Sequence, residues 1–127
     1  MILNKCMNNV SVIMPSLNVV DYIQPCINSV LSQTLHDIEI ICVDAGSTDG
    51  TLEILREYEK KDNRIKVIVS DIKSYGYQMN IGIQAASGKY IGIVETDDFI
   101  DENMFYRLYT LAEKYDVDFV KSGYKQF

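Results

Sequence analysis

The chain is short of the residues that clip small proteins together and of the charge that draws anionic partners. Its three cysteines, Cys6, Cys26 and Cys42, are odd in number and form no Cys-x-x-Cys pair, so neither a disulfide framework nor a zinc site is indicated and a reduced, cytosolic setting is expected. No paired histidine motif accompanies them, and none reads as a nucleophile. There is no basic block, and the net charge of −6 argues against nucleic acid or an anionic membrane held by charge alone. No apolar run reaches the roughly 18 residues of a membrane-crossing helix, and the opening MILNKCMNN has no charged stretch followed by a long apolar one. Neither a nucleic-acid partner nor a transmembrane segment is therefore expected. The glycine spacings of dinucleotide folds and P-loops are missing, as are repeats, low-complexity tracts and linkers.

What is present suffices for one domain, since 127 residues with 47% apolar content build a core without staples. Apolar, β-branched runs at Val10–Met14, Ile38–Val43, Ile65–Val69 and Tyr90–Val94 predict strands. The first is expected to stop at Pro15, the last to be buried on both faces, and Val117–Ser122 to make a fifth. Helix patterns lie between them. Asp21 with Gln24 has the form of a helix start, followed by the stripe Ile23, Ile27, Val30 and Leu31, with Pro25 tolerated in the first turn. The second helix turns Leu52, Leu55 and Tyr58 inward. After a loop over Ser70–Gly76, Met79, Ile83 and Ala86 mark a third, which Gly88 would end as a left-handed terminator. Asp101 caps a fourth, with Met104, Phe105, Leu108, Leu111, Ala112 and Tyr115 inward. This alternation predicts an α/β fold, a mostly parallel sheet with helices on both faces.

Such sheets bind ligands beyond the carboxyl ends of their strands. Three polar loops leave that edge: Pro15–Asn18, Asp44–Asp49 and Glu95–Asp98. In the last, Glu95, Asp97 and Asp98 repel one another and call for a shared cation, most simply a divalent metal. Taken alone, the same stretch reads as a solvated acidic turn before a helix, and the Ser-, Thr-, Asp- and Gly-rich junction after the second strand as a helix cap.

Taken together, VSVIMPSLN, VDAGSTDGT and YIGIVETDDF resemble the family 2 glycosyltransferases, with the nucleotide-binding half of the Rossmann-like GT-A fold. The resemblance runs from Val10 to at least Leu111. It implies a nucleoside diphosphate sugar donor whose base and ribose are held by Pro15, Ser16, Leu17 and Asn18 and by the turn Asp44, Ala45, Gly46, Ser47 and on to Asp49. The family's DxD element falls on Glu95, Asp97 and Asp98, with Asp97 at the ribose and beside the metal, and Asp98 as the ligand of Mn²⁺ or Mg²⁺. The chemistry agrees, because a diphosphate leaving from an acidic protein needs its charge neutralised. Lys73 is a candidate phosphate cation, against the commoner reading of a solvated loop lysine.

The reaction implied is inverting transfer to a hydroxyl of a glycan or lipid-linked acceptor in cell-envelope synthesis, by a cytoplasmic protein whose peripheral attachment at the inner membrane face stays open. It needs a general base within reach of that hydroxyl. Asp101 and Glu102 are more simply a cap and a first-turn charge, so the base and the acceptor half are expected beyond Phe127. The whole chain, with a core at 9–122, is then a donor-binding domain that is inactive by itself.

Four positions depart from the family pattern. Leu17 stands where an aromatic residue often precedes Asn18, Ala45 replaces a second Asp that often reads the base, Met79-Asn80 replaces Arg-Asn, and Glu95 replaces Asp. The identity of the base is therefore open, with Tyr75 or Tyr77 as candidate stacking surfaces. A sugar nucleotidyltransferase would want a glycine-rich basic loop where PSLN stands. A degenerate binding module is favoured by Leu17, Ala45 and Met79 and opposed by the acidic pair Asp97 and Asp98.

Overall fold

In a computed structural model, which describes residues 9–97 and 99–115, strands and helices alternate strictly. They are β1 (Val10–Ser16), α1 (Ile23–Leu31), β2 (Ile38–Asp44), α2 (Thr51–Lys61), β3 (Ile65–Val69), α3 (Tyr75–Ala85), β4 (Tyr90–Ile93) and α4 (Met104–Tyr115). All pairings are parallel and the strand order is β3-β2-β1-β4. The chain winds from β1 outward to β3, then crosses back to lay β4 on the other side of β1. With right-handed crossovers, that reversal puts α3 on the opposite face from α1 and α2 and opens a crevice between the ends of β1 and β4.

The larger core lies under α1, α2 and α4. Val10, Val12 and Met14 of β1, Ile38, Ile40 and Cys42 of β2 and Ile65 and Val67 of β3 meet Ile23, Cys26, Ile27, Val30, Leu55 and Phe105 there. On the other face, α3 lies over β1 and β2 and buries Gln78, Met79 and Gly82. A polar clamp closes the amino end of the sheet. Glu39, 3% exposed, accepts from Ser11 Oγ (2.5 Å), Ser87 N (2.6 Å), Ser87 Oγ (2.8 Å) and Lys66 Nζ (3.0 Å). Burial alone would raise its pKa, but these donors outweigh it and hold the carboxyl at about 2.

Several sequence expectations change. Pro15 does not end β1, which pairs on through Pro15 with Val43 and Ser16 with Asp44. In a parallel ladder successive residues point to alternate neighbours. Ile13 O accepts Val94 N, so Pro15 also faces the β4 side, beyond the end of β4, where no ladder needs its N–H. Asp21 does not cap α1; the cap position is Tyr22, without a side-chain bond, and the Tyr22 and Ile23 N–H groups close the turn on Val19 O.

The α3 helix starts at Tyr75, before the expected loop end at Gly76, because Ser74 Oγ accepts Tyr77 N. Ile83 is 46% exposed rather than inward. Gly88 is not left-handed; a Cβ there would stand 2.6 Å from Ser11 N, so it serves close approach to β1. The β4 strand is not buried on both faces, since α3 lies over β1 and β2 and leaves Ile91 and Ile93 exposed. On α4, Phe105 and Ala112 are buried while Leu111 and Tyr115 are exposed. The expected fifth strand and Asp98 lie outside the described residues.

Candidate functional site

The loops after β1 and β2 form one unit. Asp44 is fully buried, and its carboxylate accepts from Gly46 N (3.0 Å), Ser47 N (2.8 Å), Ser47 Oγ (2.6 Å) and Ser16 Oγ (3.0 Å). Gly46 makes the turn possible with φ +89. Asn18, at φ 53, accepts Thr48 N on Oδ1 and donates its own N–H to Ser47 Oγ, each at 2.9 Å. Val19 N donates to Thr51 Oγ1 and Val20 N to Asp49 Oδ2. Asp49 also accepts both donors of Thr51, the side-chain bond first, which holds its carboxyl below the usual range. Asp44 is thus the organiser of the turn, with its acceptor capacity spent inside the protein.

The third loop is pinned to the same edge. Thr96, buried, donates to Pro15 O at 2.9 Å, and Cys26 Sγ donates to Glu95 O at 3.4 Å. The first turns of α3 reach over all three strand ends. Gln78 Nε2 donates to Ser16 O (3.1 Å) and Val43 O (2.8 Å), and Tyr75 Oη donates to Glu95 Oε1 at 2.6 Å. That bond to a carboxylate, with some burial, pushes the Tyr75 phenol up to about 12. The stem of Lys73 passes 3.9 Å from where a Cβ on Gly46 would stand, which brings it beside the turn. Burial pushes the Cys42 thiol far up and keeps it an inert core group.

Of the expected site residues, the structure brings Pro15, Ser16, Leu17, Asn18, Asp44, Ala45, Gly46, Ser47, Lys73 and Asp97 to one edge of the sheet, with Leu17, Asn18, Lys73 and Asp97 exposed there. Pro15, Ser16, Asp44 and Ala45 are buried. Thr96, Gln78 and Thr51, which hold the loops together, carried little signal beyond being polar beside apolar positions. Among the described residues no three His, Cys, Asp or Glu side chains gather at metal-holding spacing. The exposed carboxylates Glu95 and Asp97 are hard oxygen donors, and Mg²⁺ and Mn²⁺ sites of one or two carboxylates completed by substrate phosphates need no larger cluster. The donor chemistry therefore fits such a cation.

The reversed crossover and the crevice beyond β1 and β4 define an α/β sheet of the GT-A type. The chain belongs to glycosyl transferase family 2, whose model matches residues 11–126. It is 47% identical over 118 residues to the uncharacterised glycosyltransferase EpsJ of Bacillus subtilis, covering 92% of this chain and 34% of that protein. It is 37% identical to a poly(ribitol-phosphate) beta-glucosyltransferase of Bacillus spizizenii, covering 86% of this chain and 18% of that one. Residues 1–349 of S. aureus TarS, solved in complex with UDP-GlcNAc, superpose with a TM-score of 0.78 at 29% identity, over 85% of this chain and 32% of that one. The chain thus spans about a third or less of these relatives.

Proposed function

We propose that this chain is the donor-binding part of an inverting glycosyltransferase that passes a sugar from a nucleoside diphosphate to a hydroxyl of a cell-envelope glycan or its lipid-linked precursor at the cytoplasmic face of the membrane. The observation that carries this reading is the joining of the three strand-end loops into one edge by Thr96, Gln78 and the Asn18 zipper. Residues 15–18 and 44–47 would take the base and ribose, with exposed Leu17 and Asn18 nearest the ligand. Asp97 would take the ribose, Asp97 and Asp98 the cation, and Lys73 a phosphate oxygen. The cation, Mn²⁺ or Mg²⁺, supplies charge neutralisation of the leaving diphosphate. The relative named as a poly(ribitol-phosphate) beta-glucosyltransferase supports a glycan-polymer acceptor class.

A second reading, a degenerate module without donor recognition, is favoured by the spent carboxylate of Asp44 and the buried Ala45, which leave those two side chains no free group for a base. Calorimetric titration with UDP, GDP, CDP and dTDP separates the two. Donor binding predicts that one nucleotide binds with Mn²⁺, fails with EDTA, and is lost in Asp98→Ala. Failure of all four with folded protein favours the degenerate module.

A further inference from the structure

Among the described residues β3 ends the sheet, and an end strand presents backbone N–H and C=O groups that a strand of another molecule can take up. Ser70 N donates to Asp44 O and Arg64 O accepts Ile40 N, so these positions face β2 and, by alternation, Ile65, Val67 and Val69 face outward. Two of the three are engaged within the chain. Ile65 N turns back onto Asp62 O at 3.2 Å. Val67 gives its N–H to Glu59 Oε2 at 2.9 Å, and its carbonyl accepts Arg56 Nη1 at 3.4 Å. Arg56 Nη1 also donates to Glu59 Oε1 at 3.1 Å, so these two side chains of α2 form one unit that fills both backbone groups of Val67, as a neighbouring strand does. A partly exposed ion pair at this helical spacing adds little stability by itself. Its grip on the strand edge needs another account.

We propose that Arg56 and Glu59 are a guard that closes the outer edge of β3 to strand addition by a second copy of this chain. The segment behind the guard, IKVIV, is β-branched at every position but Lys66, a composition that pairs readily with itself. Two such edges meeting about a twofold axis need no other partner, because the same surface serves on both sides. Val69, the third outward position, carries an exposed side chain at the end of the strand. The guard is local, since the neighbouring Lys60–Glu57 pair on the same helix is far more exposed and lies on its solvent side.

The test is sedimentation velocity across a concentration series on wild type, Arg56→Ala/Glu59→Ala, and Glu57→Ala/Lys60→Ala, which removes the same charges away from the edge. Each is checked for an unchanged circular dichroism spectrum. The guard variant should rise toward roughly twice the wild-type mass at the same concentration, while the control stays with wild type. Adding Val69→Pro should abolish the rise, because a proline at an outward-facing position blocks pairing without removing a bond of the native ladder. A second measurement needs only the milder Glu59→Ala. In monomeric protein its Val67 amide should exchange faster, on the order of tenfold, with Ile68 in the β2 ladder unchanged. A folded guard variant that keeps the wild-type mass overturns the proposal, as does a rise that survives Val69→Pro or appears equally in the control. Unchanged Val67 exchange in Glu59→Ala overturns it too, and decides alone if the double variant does not fold.

Discussion

The Glu39 clamp makes the stability of this fold depend on acid in a way that can be computed before it is measured. Glu39 is held at about 2 against a reference of 4.5. A depressed folded pKa means that the stabilisation is fully present above the unfolded value and is lost as pH falls toward the folded one. The difference amounts to about 3 kcal/mol at neutral pH, most of it gone by pH 2.5. Lys66 is 56% exposed and contributes the smaller share, so Ser11 and Ser87 carry the effect. Urea unfolding followed by circular dichroism at pH 6 and pH 2.5 measures it, with Glu39→Gln as the control for all other carboxylates. The gap between wild type and Glu39→Gln should shrink by about 2–3 kcal/mol between the two pH values. A gap that stays constant would refute the assignment of the acid effect to this clamp.

Three further substitutions probe the supports of the site. Asp44→Asn replaces one of two accepting oxygens by an amide donor, set either against the Ser16 and Ser47 hydroxyls or against the Gly46 and Ser47 N–H groups, and should cost about 2–4 kcal/mol in urea unfolding. Gly88→Ala drives a Cβ against the Ser11 backbone and should cost about 1–3 kcal/mol by the same assay, with the loss seen as a lower melting temperature. Asn18→Ala removes the acceptor of Thr48 N and leaves a non-glycine residue at positive φ; about 1–2 kcal/mol and faster amide exchange at Thr48 are expected.

Much of this architecture was readable from pattern. The apolar runs placed four strands and the periodicities four helices, because core burial imposes its repeat on the residues themselves. What escaped depended on neighbours distant in sequence. Whether Pro15 stops a ladder depends on which side its missing N–H faces, and that is set by the length of β4. Ile91 and Ile93 look like core residues, yet their exposure depends on where α3 lies. Ile83 and Leu111 sit in apolar helical patterns whose outer edges stay exposed. At the site, the loops were legible from their position after apolar runs. The role of Asp44 was not, since a buried turn organiser and a ligand-facing carboxylate have the same sequence, and the Tyr75–Glu95 bond joins the start of α3 to the loop after β4.

The central claim is that the three loops form one donor site, and nuclear magnetic resonance mapping tests it most directly. UDP and Mg²⁺ added to ¹⁵N-labelled protein should shift amides at residues 16–18, 44–49, 73–75 and 95–97 together, and EDTA should reverse the shifts. Shifts confined to the Glu39–Ser87 end of the sheet, or none in folded protein, would contradict the account.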